Sequence, residues 1–214
     1  MILKERLALA CSMVDRGSVV ADIGTDHGYV PVYLLQNGIC NKAFACDIKE
    51  GPLKKGQENI TFNHLEDKIE TRLSDGLQGI KEGEADTFTI CGMGADVIIH
   101  ILSSCPYIYN ESYTLIIQPM SKYYTLIQWL YENKFEIIKH KCTHEGDRHY
   151  TVMKIKYTGK EKSFTTAKTY LGSMDLDDNE CREFLKKEIS KAEKRALGDK
   201  SLVPVIEELR KQLQ

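Results

Sequence analysis

"FEIIKHKCTHEGDRHYTVMKIKY", residues 135–157, holds two strand-like runs joined directly by a polar segment at Glu145-Gly146-Asp147. No helix fits between them, so the stretch predicts a β-hairpin. Upstream the chain has a different rhythm. Strand-like runs "SVVADI" (18–23), "KAFACDI" (42–48), "IETRLSD" (69–75), "DTFTICGM" (86–93) and "YTLIIQP" (113–119) alternate with helical patterns at 29–37, 51–63, 95–103 and 121–133. A further helix over 2–14 precedes the first strand. Strands separated by helices imply parallel βαβ units with right-handed crossovers.

A hairpin added to five parallel strands makes seven, one of them antiparallel. That arrangement belongs to the class I, Rossmann-like methyltransferase fold of the α/β class more than to a six-stranded dinucleotide fold. Downstream, from about residue 160, the composition shifts. Leu185, Ile189, Ala192 and Ala196, then Leu202, Ile206, Leu209 and Leu213, recur at helical spacing. "LGDKS" breaks the pattern, with Ser201 as expected cap and Pro204 tolerated in the first turn. The chain thus divides at 158/159 into an α/β domain and a C-terminal α-helical hairpin, coiled-coil-like.

The 214 residues suffice for one large domain with an appendage, and 42% hydrophobic with 28% charged content excludes a disordered chain. A net charge of -2 excludes nucleic-acid binding by bulk charge but leaves a local basic face open. The seven cysteines form no CxxC pair and no zinc-ligand spacing, so reduced, buried thiols and no metal are expected. "KERLALAC" is too short an apolar run for a signal peptide, and no stretch reaches membrane-spanning length. A cytoplasmic monomer without membrane attachment is expected.

Ligands of open α/β sheets bind beyond the carboxyl ends of the strands. There the first strand leads into "DIGTDHG", where Gly24 and Gly28 are expected to let a ligand approach the backbone. A pyrophosphate would be repelled by Asp26. S-adenosylmethionine suits the loop better, because it lacks phosphate and its sulfonium and amino group are cationic. Asp47, 25 residues after Asp22, is placed to accept from both ribose hydroxyls, and Asp75-Gly76 to meet the adenine amino group. Thr25 and Ile48, beside Gly24 and Asp47, join the donor set. In "ICGMGADVI", Cys91 and Gly92 face the donor, while Met93 and Gly94 form the floor for the acceptor.

The segments "ADIGTDHGYVPVYLL", "DIKEGPLKKGQENI", "RLSDGLQGI", "ICGMGADVIIHIL", "LIIQP" and "QWLYEN" occur in an order that resembles the TrmK-type tRNA (adenine(22)-N(1))-methyltransferase family over about residues 3–157. Gly28 and Ala95 depart from that family's usual alanine and GMGG. The resemblance implies a class I catalytic domain, S-adenosylmethionine as donor, tRNA as partner, and a C-terminal helical domain that helps hold the tRNA.

Methylating N1 of adenine leaves the base cationic until a proton leaves the exocyclic amine, and a nearby carboxylate stabilises that charge. Asp26 is the candidate, with His27 to orient it or carry the proton away. Asp22 is expected to organise the loop and the methionine end of the donor. Arg6 is placed over the donor pocket, and Arg72 either pairs with acids or contacts phosphate. Tyr29 follows the loop as a stacking surface for a flipped base. Gln118-Pro119 shapes the acceptor side, and Lys122, Tyr123 and Tyr124 stand at an exposed helix start. Lys187 and Lys191, with Lys194 and Arg195, lie opposite the apolar seam of Leu185, Ile189 and Ala192, as tRNA contacts. Two alternatives remain: a class I enzyme acting on a small molecule or protein, and a non-catalytic donor- or RNA-binding module.

Overall fold

The structure, a computed structural model, describes residues 2–214. Its sheet has seven strands: β1 (Ser18–Ile23), β2 (Cys40–Asp47), β3 (Ile69–Leu73), β4 (Thr87–Met93), β5 (Thr114–Pro119), β6 (Phe135–Glu145) and β7 (Arg148–Tyr157). Their spatial order is β3-β2-β1-β4-β5-β7-β6. The first five pair in parallel, and β7 lies antiparallel between β5 and β6. The hairpin turns at Gly146 and Asp147, since Glu145 pairs with Arg148. Gly146 takes φ 59°, a conformation glycine adopts at little cost.

Side chains alternate across the sheet because the strand period is two. Val20, Ala43, Ala45, Ile69, Ile116 and Val152 face one layer, with Ala10, Cys11, Val32, Leu34 and Ile60. That layer is α1 (Glu5–Cys11), α2 (Tyr29–Gln36) and α3 (Glu50–Phe62). Ala21, Phe44, Cys46, Phe88, Ile90, Leu115, Ile117 and Met153 face the other. There Ile98, Leu102, Leu126 and Leu130 come from α4 (Ala95–Ser103) and α5 (Tyr123–Glu132). Strands buried on both faces explain the near-continuous apolar runs of the sequence. Helix α1 is shorter than the expected 2–14: the Ser12 hydroxyl donates back to the Leu9 carbonyl at 2.7 Å, and a turn follows.

The C-terminal segment contains α6 (Thr166–Leu171), α7 (Asn179–Ala196) and α8 (Leu202–Gln212). Helices α7 and α8 form the expected pair, while α6 has no periodicity that announces it. Ser201 stands at the N-cap position of α8, but its side chain makes no capping hydrogen bond to the helix. It is helical in conformation, and its amide and hydroxyl both donate to the Asp199 carboxylate, at 3.1 and 2.6 Å. Cys181, Phe184, Leu185, Ile189 and Ala192 of α7 join the same apolar cluster as α5, β6 and β7. Burying Phe184 and Leu185 contributes about 1.5–3 kcal/mol each. The 158/159 boundary therefore marks a change of composition but not a break in the core. All seven cysteines are free thiols, and six are buried. No helix among the described residues is long and apolar enough to cross a membrane.

Candidate active site

The strand order reverses between β1 and its neighbours β2 and β4, and a cleft of about 720 Å³ opens there, beyond the strands' carboxyl ends. That volume is in the range of small-ligand sites. The loop after β1 turns tightly: the Gly24 and Thr25 amides both donate to the Cys46 carbonyl, at 2.8 and 2.9 Å. Gly24, Asp26 and Gly28 all take left-handed φ, of 75°, 50° and 68°. Such a conformation in Asp26 is uncommon outside glycine, though short polar side chains tolerate it, and it turns the Asp26 side chain out to line the cleft.

Asp47 ends β2 and ties the parts together. One carboxylate oxygen accepts from the Asp26 amide at 3.3 Å and the other from the Lys49 amide at 2.9 Å. Each oxygen keeps a lone pair for the cleft. Asp22 lies deeper, 3% exposed, and accepts from the Thr89 hydroxyl at 2.6 Å. Burial pushes its carboxyl up to about 6, against the hydroxyls of Thr89 and Thr25, which favour the charged form. The Thr25 hydroxyl is itself buried and has no partner in hydrogen-bond geometry. Around the rim stand Ile48 and Val97, 59% and 50% exposed, apolar surfaces with nothing packed over them.

Of the expected site residues, Arg6, Asp22, Gly24, Thr25, Asp26, Tyr29, Asp47, Ile48, Asp75, Gly76, Cys91, Gly92 and Met93 line this one cleft. Gly24 does not leave bare backbone, however: the Met93 methyl sits where its side chain would be. Asp75 lies in the loop two residues past the end of β3 rather than on the strand. Arg6 reaches the cleft while its amide donates to Glu145 at 3.1 Å and its guanidinium sits 5.9 Å from the Tyr150 ring centre. Leu3, Leu7, Pro52, His100 and Ile101 line the cleft without having been expected there. A smaller cavity of about 270 Å³ adjoins it, sharing Asp75, Gly76, His100 and Ile101.

Other expected residues stand outside the cleft lining. His27 stacks on Tyr29 with ring centres 5.2 Å apart, and its Nε2 is 3.7 Å from an Asp26 carboxylate oxygen. Gly28 faces α3, where a side chain would come within 3.3 Å of the Gly56 carbonyl oxygen, so it serves helix packing rather than ligand approach. Gln118 is fully buried and braces the floor: its oxygen accepts from the Gly92 amide at 3.1 Å and its amide donates to the Pro119 carbonyl at 2.9 Å. Gly94 precedes α4, where Ala95 is helical and fully buried, so alanine suits that position. Arg72 is structural, paired with Glu84 at 2.6 Å and Glu70 at 2.8 Å. Tyr123 is a core residue, not an exposed one. Lys187 donates to the Asp147 carbonyl at 2.9 Å, and Lys191 pairs with Glu188, both away from the cleft.

Sequence reasoning misses Thr89, which pairs with Asp22 in the β1–β4 register. The signal is a threonine inside an otherwise apolar buried strand. No group of three or more metal-ligating side chains is found among the described residues.

Residues 3–153 match the model of a family described as methyltransferase domain. The chain is 34% identical over 151 residues to the tRNA (adenine(22)-N(1))-methyltransferase of Bacillus subtilis, a match spanning 71% of this chain and 63% of that protein. A Streptococcus agalactiae protein of the NADB-Rossmann superfamily has the same fold, with a TM-score of 0.88, 28% identity, and coverage of 100% of this chain and 98% of the other. TrmK of M. capricolum in complex with S-adenosyl-homocysteine aligns with a TM-score of 0.81 at 26% identity, covering 100% and 98%. The antiparallel β7, the cleft at the switch in strand order and a family match over more than two-thirds of its length agree: the chain belongs to the methyltransferase-domain family.

Proposed function

We propose that the chain uses S-adenosylmethionine to methylate N1 of adenine 22 in tRNA. The observation that carries this reading is the row of carboxylates along the cleft, Asp22, Asp26, Asp47 and Asp75, which disfavours phosphate and favours a cationic, hydroxyl-rich donor. The B. subtilis relative's activity and the S-adenosyl-homocysteine bound to the M. capricolum protein agree with it.

The residues fit such a donor. Asp47 holds the ribose hydroxyls with lone pairs its backbone partners leave open. The buried Asp22, with the Thr25 hydroxyl beside it, lies toward the methionine end. Ile48 and Val97 offer apolar surface to the adenine ring. When bound, S-adenosylmethionine supplies an electrophilic methyl group carried on a sulfonium.

Tyr29, at the mouth of the cleft and stacked on His27, receives the flipped target base. Asp26 accepts from the exocyclic amine and stabilises the positive charge that develops on the ring, an effect often worth several kcal/mol. His27, close beside Asp26, orients that carboxylate. Met93 forms the floor, held in place by Gln118 through the Gly92 amide. Mass analysis of nucleosides from unmodified tRNA incubated with protein and donor tests the reading: N1-methyladenosine at position 22 is expected, and its absence refutes it.

A further inference from the structure

A second concave site lies beside the cleft, at the joint between the sheet and α7. It is a groove of about 400 Å³ running from Pro119 to Lys122 on one side, past His149 and Tyr150 on β7, to Lys191, Lys194 and Arg195 on α7. Only a thin partition separates the two. Arg6 of the cleft packs toward Tyr150 of the groove, and the Met120 amide of the groove donates to the Met93 carbonyl of the cleft floor at 2.8 Å.

The groove is electrically unbalanced. Its lining holds four cations, Lys122, Lys191, Lys194 and Arg195, against one carboxylate, Glu188. Glu188 is neutralised by Lys191, and Lys122 by Asp96 from outside the lining. That leaves Lys194 and Arg195, which have no ion-pair partner within 4.0 Å among the described residues. Arg195 donates instead to the hydroxyls of Tyr124 and Tyr170, the latter at 2.8 Å. Burial pushes the Tyr170 phenol up, so it stays neutral and cannot balance the guanidinium. The Tyr124 and Tyr170 rings stack with centres 4.6 Å apart, and the Arg195 guanidinium sits at the hydroxyl edge of the pair, 4.8 and 5.9 Å from the two centres. The stack fixes Arg195 while three of its five N–H groups remain unused.

An uncompensated, pre-positioned guanidinium and a neighbouring ammonium match a phosphodiester. We propose that this groove is an RNA subsite that takes the phosphodiester next to the target adenosine. Arg195 and Lys194 hold the phosphate oxygens. This deepens the tRNA reading above and rests on it. The strand whose base enters the cleft over Met93 continues past Pro119 into the groove, so base and phosphate are gripped on opposite sides of the Arg6–Tyr150 partition.

The test uses the full chain and an unmodified tRNA transcript, with fluorescence anisotropy at several salt concentrations and methyl-transfer kinetics alongside. Lys194→Gln removes a side chain with no partner in the protein, so folding is undisturbed. Arg195→Gln and Arg195→Lys complete the set. Lys194→Gln and Arg195→Gln are each expected to weaken tRNA binding about fivefold to tenfold and to lower the salt slope by about 0.7–0.9. KM for tRNA rises in step, while kcat at saturation stays within about twofold and donor affinity is unchanged. Arg195→Lys keeps the salt slope. Parent-like tRNA affinity and salt slope in Lys194→Gln and Arg195→Gln overturn the subsite. Binding needs no turnover, so a parent that binds tRNA without methylating it, with both variants weakened, supports the subsite and refutes the catalytic reading alone. A parent that does not bind tRNA overturns both.

Discussion

Asn in place of Asp22 is expected to make the protein more stable and a worse enzyme. Asp22 is 3% exposed, and burial raises its carboxyl from 3.8 to about 6. At 1.36 kcal/mol per pK unit, holding it ionised in the folded state costs about 3 kcal/mol at neutral pH. Asparagine keeps the shape without the charge. Thr89 donates to the amide oxygen as it does to the carboxylate, and the Thr25 hydroxyl beside it turns to accept from the new amide nitrogen. Allowing for imperfect geometry, Asp22→Asn gains about 1–2 kcal/mol, or about 2–8 °C in Tm for a chain of this size. The sign with pH follows from linkage. A carboxyl raised in the folded state contributes stability that is present below its unfolded value of 3.8 and lost as pH rises through about 6. The variant's advantage over the parent is therefore full above about pH 7, keeps most of its size at about pH 6, halves at about pH 5 and fades toward about pH 4. Urea unfolding of both proteins at intervals from pH 4.5 to 8, with donor calorimetry at pH 7.5, measures it. A variant less stable than the parent at pH 7.5, or a stability difference that does not change with pH, refutes this account of Asp22.

Asp47→Ala removes the ribose acceptor and the anchor of the Asp26 amide, so donor affinity by calorimetry falls about 10–100-fold, from 1.5–3 kcal/mol per charged hydrogen bond; unchanged affinity excludes Asp47 from the donor site. Asp26→Ala keeps donor binding and loses most methyl transfer at saturating tRNA, and His27→Ala loses less. Turnover of Asp26→Ala within a few-fold of the parent would transfer the charge-stabilising role elsewhere. Phe184→Ala on α7 lowers global stability by about 3–5 kcal/mol in a single unfolding transition, because Phe184 belongs to the core that also covers the sheet. Two separate transitions, or a loss below 1 kcal/mol, would mean that residues 159–214 fold independently.

Asp22 and Asp47 are legible in the sequence because strand termini are marked by local pattern, and an acid at a strand's carboxyl end has few other places to point. The hairpin is legible for the same local reason. Thr89 is not: its role depends on which residue of β1 lies beside it, and register is set by the whole sheet. His27, Gly28 and Gln118 sit in the right segments but face away from the cleft, because the left-handed residues of the first loop and the bulge between Cys91 and Met93 redirect side chains by geometry that spacing does not record. Tyr123 reads as an exposed helix start, yet its hydroxyl donates to the Tyr170 carbonyl at 2.9 Å beneath α6. That contact joins α5 to α6 across 47 residues, so it cannot be seen from either segment alone.

The thiols described earlier make this protein its own reporter of local opening. Burial pushes Cys40 up to about 11, Cys46 to about 12 and Cys11 higher still, and it raises Cys105 and Cys142 as well, so these five thiols hold almost no reactive thiolate in the folded state at pH 8. Labelling by a thiol reagent then proceeds through opened conformers, and its rate measures how often each region opens. Cys11 and Cys40 sample the layer under α1 and α2, Cys46 and Cys105 the opposite layer, and Cys142 the seam between β6 and α7. A native chain without any introduced label can therefore show, site by site, which layer loosens first on heating and which tightens when a ligand fills the cleft.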